Sequence, residues 1–349
     1  DLEKLNGAPT VPSRWLSRLE AVAAGLGLEN CFNAAEPWLD WVQGLDHDNS
    51  KPAPVKAPCP RPRVDARPRS MSVTEIETWI RDPYAIYARR ILGLQELDEL
   101  EASPDASHRG IIIHDAVQKF IDQKISPAAD DALERLLEIG RNSFAQSNIW
   151  PGVQTLWWPR FERMAQWFIE TEIARQQGVE KHITEVSGRL VFDQGGAPFT
   201  LRARADRIDL VQNGDAAIIY DYKTGTVPSA SEVFSGFSPQ LPLEAAILTA
   251  GGFENVPAGG VAQIVYIKLS GGNPPGEMRI LEKSRSGVVT PAEAADAALA
   301  GLRHRISSFN HRQTPYLSRI HVKFERFPGT YDHLARAKEW QRFDIEDAG

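Results

Sequence analysis

Cysteine is almost missing from this chain: Cys31 and Cys59 are the only two in 349 residues. Two thiols give no disulfide framework and fit a reducing compartment. They cannot complete a four-thiolate metal or cluster site. Long apolar runs are lacking too, none reaching the roughly 18 residues of a membrane span. No cleavable signal pattern is present. The reading therefore expects no membrane partner and a cytoplasmic location. No Gly-x-x-x-x-Gly-Lys-Ser/Thr segment occurs, so ATP is not bound by that phosphate-cradling loop. No internal repeat points to a solenoid. An excess of basic charge is also missing. The net charge of −7 argues against a generic nucleic-acid coat. It leaves room for a locally basic channel, because the local field matters more than the sum. The stretch from Arg303 to Arg326 offers such a cluster, although a solvated face is the ordinary fate of any one of its members.

What is present is the composition of a globular protein, 42% hydrophobic and 24% charged, long enough for about two domains. The opening Asp-Leu-Glu-Lys, without Met, reads as a piece of a longer chain. Residues 1–50 read as short helices, with Trp15, Leu16 and Leu19 on one face and Trp38, Trp41 and Val42 on another. They are expected to be a helical remnant of a preceding, helicase-like domain. Residues 51–70 are rich in proline and read as a stiff linker or strap. The main domain is expected over 71–349. Ser72-Val73-Thr74-Glu75 is a capping box that opens a helix through Trp79, and Pro83 breaks it. An acidic loop is expected at 93–107. Helices are expected near 108–124, 128–147 and 158–177. From Gly188 the hydrophobic period changes to that of strands. Residues 188–192, 199–211 and 215–223 read as an antiparallel meander. A helix near 239–250, a buried strand over 261–269 and a helix over 291–309 complete an α/β (α+β) unit, a small mixed sheet flanked by helices.

The chemistry is concentrated in 199–223. Asn213-Gly214 is the strongest hairpin signal, because a type I′ turn needs positive φ at both central residues. A two-residue loop pairs Gln212 with Asp215 and, counting back, sets Asp206 opposite Asp221. Opposed β-carbons lie about 5 Å apart, and like charges there repel. Two carboxylates so placed need a proton or a cation between them. Lys223 shares the face of Asp221, since strand side chains repeat every second residue. The three polar groups converge beside apolar sequence and point to a divalent-metal site with an adjacent cation. A one-residue slip would undo this, and a solvent-facing charged hairpin is the bland alternative.

Four motifs occur in an order that resembles RecB-type nucleases of the PD-(D/E)XK superfamily. They are Gly110-Ile-Ile-Ile-His114, Ala205-Asp206-Arg207-Ile208-Asp209, Asp221-Tyr222-Lys223-Thr224-Gly225 and Gln240-Leu241-Pro242-Leu243. The opening Ser72–Tyr87 and the tail around Pro315–Leu317 and Tyr331–Arg336 are similar to the C-terminal nuclease domain of AddB-type chains, in their alphaproteobacterial form. The resemblance covers about residues 70–340. It implies that His114, Asp206, Asp221 and the Tyr222 carbonyl are ligands of Mg2+ or Mn2+. It further implies that Lys223 orients or activates the attacking water and that Gln240 positions the lysine or the phosphate. By itself His114 would read as a core or surface histidine.

The same resemblance implies a DNA exonuclease acting on single strands or DNA ends in double-strand-break repair, beside an AddA-type helicase–nuclease subunit. The alternative is a catalytically silent module that binds DNA ends or scaffolds the helicase. A stand-alone exonuclease is a weaker third possibility. The chain departs from the family at two places. Glu244 stands where a Tyr is frequent, four residues after Gln240. It either faces solvent or adds charge to the site and draws in a second cation. The cysteines that hold an iron–sulfur cluster in many AddB-type chains are missing after residue 59, so no cluster is expected.

Overall fold

The structure is a computed structural model. It describes residues 4–5, 8–9, 13–28, 38–46, 55–97, 105–147, 149–176, 178–193, 197–211, 215–284, 287–320 and 329–340. The chain divides into two units, Asp1–Val55 and Lys56–Gly349. The first holds a short ribbon, β1 (Lys4–Leu5) with β2 (Ala8–Pro9), and two helices, α1 (Arg14–Gly25) and α2 (Trp38–Asp46). Trp15 and Trp38 are exposed.

The second unit opens on part of the proline-rich stretch, laid down as a strap. Arg67 donates to the carbonyls of Phe309 (2.8 Å) and Arg312 (3.1 Å), and Tyr316 N–H donates to Pro60 O at 2.9 Å. The strap feeds β3 (Ser70–Ser72) and α3 (Val73–Arg81). The capping box forms as its sequence requires: Glu75 N–H donates to Ser72 Oγ at 3.1 Å and Ser72 N–H to Glu75 Oε2 at 2.9 Å. After α3 come the short α4 (Pro83–Ile86) and a wide turn over 87–91. The long helices α5 (Ala106–Asp122), α6 (Ala132–Gln146) and α7 (Pro151–Arg175) follow. Next are β4 (Val179–Phe192), β5 (Phe199–Val211), β6 (Ala216–Lys223), α8 (Ala230–Phe234), α9 (Gln240–Thr249), β7 (Gly260–Leu269) and β8 (Gly276–Ile280). A small ribbon of β9 (Lys283–Ser284) and β10 (Gly287–Val288), then α10 (Pro291–Phe309) and α11 (Ala337–Trp340), end the unit.

β4 starts nine residues before the expected Gly188. Its first half, Val-Glu-Lys-His-Ile-Thr, is a half-exposed edge strand whose polar residues hide the pattern. α7 begins at Pro151 rather than 158 and runs through Pro159. An internal proline normally breaks a helix. Here Trp158 and Phe161 stack on each other and meet Phe144 edge-on, which holds both halves of α7 to α6.

The sheet is mixed. β4 runs antiparallel along one edge of β5 for its full length. The other edge is shared: β3 pairs in parallel with 200–202, and β6 pairs antiparallel with 207–211. Residues 203–206 of β5 are left without a strand partner there. β7 then pairs in parallel with β6, and β8 closes the edge. One core, with Met71, Ile76, Leu201, Ile219, Leu243 and Ile247, lies between the sheet and α3, α9 and α10. The other, with Val117, Phe120, Leu136, Phe168, Tyr222 and Ile267, lies under α5, α6 and α7. A sheet covered on both faces by helices buries most apolar strand residues, at roughly 1.5–3 kcal/mol for each large side chain.

Candidate metal and phosphodiester site

The β5–β6 register runs from Arg207↔Tyr220 to Val211↔Ala216, the register that a two-residue turn requires. Residues 212–214, with the Asn213-Gly214 turn itself, lie outside the described residues. The ladder stops one pair short of Asp206 and Asp221. At that rung the in–out alternation slips. Ala205 and Ile208, three residues apart, both face the first core, and so do Val186 and Ile183 on β4. Glu185, between them, has φ 49°. Asp206 is the slip residue, and its Oδ2 accepts the Tyr222 N–H at 2.8 Å. The expectation of a plain opposed pair is therefore corrected. The strands part at this point, and a carboxylate takes the place of the missing ladder acceptor.

Lys223 and Asp221 share a face, the one covered by α9. Lys223 Nζ donates to Asp221 Oδ1 at 2.9 Å and lies 2.7 Å from Oδ2. Gln240, at the start of α9, donates from Nε2 to Asp221 Oδ1 at 2.6 Å and accepts from Lys223 Nζ at 3.2 Å. Its Nε2 also reaches Glu244 Oε1 at 3.3 Å. Glu244 does not face solvent: it is 1% exposed, and its Oε2 has no hydrogen-bond partner among the described residues. His114 comes from α5 on the other face, with Nδ1 4.0 Å from Asp206 Oδ2. Its imidazole also hydrogen-bonds the Tyr222 carbonyl. Gly110, one turn earlier on α5, sits where an added β-carbon would lie 2.7 Å from Thr224 Oγ1. That close approach lets α5 cross the end of β6 and bring His114 in.

Burial is the main electrostatic force at this site. It pushes Asp206 up to about 6, against the Tyr222 amide and Lys223, while Glu185 adds to the rise. It pushes Asp221 up to about 6 as well, opposed by Lys223 and reinforced by Asp206. Glu244 is raised well above the usual carboxylate range by burial and then by the two aspartates. Burial alone would lower Lys223, but Asp221 outweighs it and the ammonium is held more firmly than usual. His114 is lowered by burial, so its imidazole is neutral near pH 7.

Three carboxyl groups thus share one lysine, and the local field favours another cation. The donor set suits a hard divalent ion: two carboxylates, a main-chain carbonyl and one neutral imidazole. Among the described residues no three His, Cys, Asp or Glu side chains close into a metal cage.

Two motif residues have a structural role that the spacing did not reveal. Arg207, 1% exposed, donates to Glu172 Oε2 at 2.8 Å and to Asp209 Oδ1 at 2.6 Å, and reaches the Tyr222 hydroxyl at 3.3 Å. His182 Nδ1 lies 2.8 Å from Asp209 Oδ1. Burial acts to raise Asp209, but His182 and Arg207 outweigh it and hold it below the usual range. This ion cluster ties α7 to β5 and β6 beneath the site. The alternation of charge in Asp206-Arg207-Ile208-Asp209 was the available signal. Of the C-terminal basic stretch, Arg305 donates to Trp79 O at 3.2 Å and Arg319 pairs with Asp332 at 3.4 Å. His321, Lys323 and Arg326 lie outside the described residues.

Comparison with known proteins gives the family. An uncharacterized protein of Rickettsia conorii is 30% identical over 256 residues, 72% of this chain and 29% of that protein. One of Rickettsia typhi is 34% identical over 191 residues, 53% of this chain and 22% of that protein. An ATP-dependent helicase/deoxyribonuclease subunit of Streptococcus uberis is 26% identical over 186 residues, 51% of this chain and 16% of that protein. The chain thus spans less than a third of the length of these relatives. Among the described residues no helix is long and apolar enough to cross a membrane. The family model for the PD-(D/E)XK nuclease superfamily matches residues 70–328, from the first sheet strand to the tail and through all four motifs, and the chain belongs to that superfamily.

Proposed function

We propose that this chain is the nuclease domain of a double-strand-break repair helicase–nuclease and hydrolyses phosphodiester bonds of single-stranded DNA with Mg2+ or Mn2+. The reading draws on the superfamily and on the likeness to a streptococcal ATP-dependent helicase/deoxyribonuclease. By that likeness it is an AddB-type domain and works in the cytoplasm with an AddA-type helicase partner. The observation that carries it is the half-buried Asp206–Asp221–Lys223–Gln240 constellation, closed around a buried Asp221, with His114 at its margin.

Asp206, Asp221, His114 and the Tyr222 carbonyl would hold the ion. When bound, a divalent ion neutralises the phosphate and lowers the pKa of a coordinated water. Lys223 stays protonated, so it acts by charge and hydrogen bonding toward the phosphoryl oxygens or the attacking water, and not as a base. Gln240 fixes the position of its ammonium. Partial burial of the site lowers the local dielectric and strengthens each of these interactions. In the test, the wild type digests labelled single-stranded DNA with Mg2+, chelation stops it, and Asp206→Ala binds DNA without cutting. A wild type that binds and never cuts contradicts the proposal and favours the silent DNA-end-binding scaffold.

Two predictions arise from the electrostatics. Asp206 and Asp221 sit at about 6 in the folded metal-free protein, above roughly 3.9 in an unfolded chain. Their protonated forms therefore favour folding below about pH 4, and that contribution is lost as pH rises through about 6. A divalent ion supplies the missing charge, so Mn2+ should raise the melting temperature clearly more at pH 7.5 than at pH 5. Equal shifts at both pH values would contradict this placement. Burial and the two aspartates favour the neutral form of Glu244, so Glu244→Gln should leave stability at pH 7 within about 1 kcal/mol. Glu244→Ala strips Gln240 of an acceptor and should cost about 1–3 kcal/mol. Thermal melts of both variants decide it, and a large loss in Glu244→Gln would show an ionised carboxylate.

A further inference from the structure

A second feature lies beside the site, on the sheet face away from the first core. Leu201, Ala203 and Ala205 are buried in that core, so Arg202 and Arg204 point outward, four and two residues before Asp206. Arg202 is directly opposite Arg189 of β4 in the strand register. Both are exposed and share one face. Two guanidinium groups held about 5 Å apart at their β-carbons repel each other, so this pairing costs stability unless an anion lies between them. Arg89 and Arg90, from the turn after α4, join these three in lining one open groove of about 1020 Å³. Arg89 and Arg189 make no ion pair among the described residues. Arg202 is only 3.9 Å from Glu75, and Arg204 pairs with Glu185 at 2.6 Å. Arg204 and Glu185 in turn lie within electrostatic reach of Asp206. Glu75, 3.4 Å from Arg90, and Glu254 also line the groove, so five arginines face two carboxylates there, a net positive track in a chain of net charge −7 that leads to the site.

We propose that this groove carries the sugar–phosphate backbone of a single DNA strand to or from the bond held at Asp206 and Asp221. The inference rests on the nuclease reading above and names the path of its substrate. Outward side chains recur about every 7 Å along a strand, a repeat of the same order as phosphates along an extended single strand. One row of arginines fits one backbone. The groove offers charge rather than aromatic platforms, so binding should follow phosphates and ignore sequence. The like-charged pair then explains itself, since a phosphate seated between Arg189 and Arg202 relieves their repulsion.

The test uses the whole chain in chelator, where binding is read without cleavage. Oligothymidylate affinity is measured against salt for the wild type and for Arg189→Ser/Arg202→Ser. The double variant should bind about tenfold more weakly, and its log–log salt slope should fall by about 1.4, near 0.7 per lost contact to a single strand. Its melting temperature should hold or rise, because a repulsive pair is removed. Arg189→Lys/Arg202→Lys should restore the slope, and Arg135→Ala on α6 should change nothing. Unchanged affinity and slope in the double variant would overturn the groove. So would an equal-length duplex that competes as well as the single strand. If the wild type binds in this groove yet never cuts, the nuclease reading fails and the groove stands. If it cuts while the groove variants bind normally, only the groove fails.

Discussion

Lys223→Met should lower the turnover of single-stranded DNA by roughly 10²–10³, the loss expected when one preorganised charge is removed from a developing phosphoryl charge. The substrate KM should change little, because the ammonium is tied to Asp221 and Gln240 and not to the wider strand path. Removing it leaves Asp221, 2% exposed, without its counter-charge. The variant should therefore hold divalent ions at least as well as the wild type. Because Lys223 works as a fixed cation, raising the pH toward 9 should not recover the lost rate. A variant that cuts at the wild-type rate would remove Lys223 from the chemistry. A variant recovering at high pH would make it a base.

The second large effect is on folding. Arg207→Met should destabilise the chain by about 3 kcal/mol, the low end of the cost of removing one partner from a buried ion cluster. Glu172 and Asp209 are both buried and Arg207 bridges them, while Arg175, 2.7 Å from Glu172 and 3.5 Å from Asp209, and His182, 2.8 Å from Asp209, stay as their remaining partners. The loss should appear as a melting temperature lower by roughly 6–12 °C. Changing Arg207, Arg175, Glu172 and Asp209 together to apolar residues should recover much of it, since the desolvation penalty vanishes with the charges, Arg175 being included because it pairs with both carboxylates. Melting curves of the single and quadruple variants check this. A single variant as stable as the wild type would mean that water reaches the cluster.

Much of this site was legible because strand geometry is periodic. Asn213-Gly214 set the register, and the register set Asp206 near Asp221 and Lys223 beside it. The resemblance supplied His114 and Gln240, which no spacing could join to the hairpin, because they arrive from opposite faces of the sheet on α5 and α9. Several things were not legible. The slip at Asp206 and Glu185 depends on β4, whose polar first half carries no strand pattern. β8 opens on Gly276 directly after Pro274-Pro275, a turn signal, and its edge position leaves little apolar pattern. Glu244 shares the helix face of Gln240, and periodicity cannot say whether that face meets water or a buried carboxylate pair. The basic residues that line an open groove come from β4, β5 and the turn after α4, whereas the sequence drew attention to the C-terminal stretch. Clusters formed across distant segments carry no local signature.

A calorimetric Mn2+ titration of the wild type, Asp206→Asn and Asp221→Asn, each shown to be folded, reaches the centre of this account. The wild type should bind Mn2+, and each variant should lose at least tenfold in affinity, with His114→Ala falling between. Binding that survives unchanged in both aspartate variants would mean that these two side chains do not share a cation.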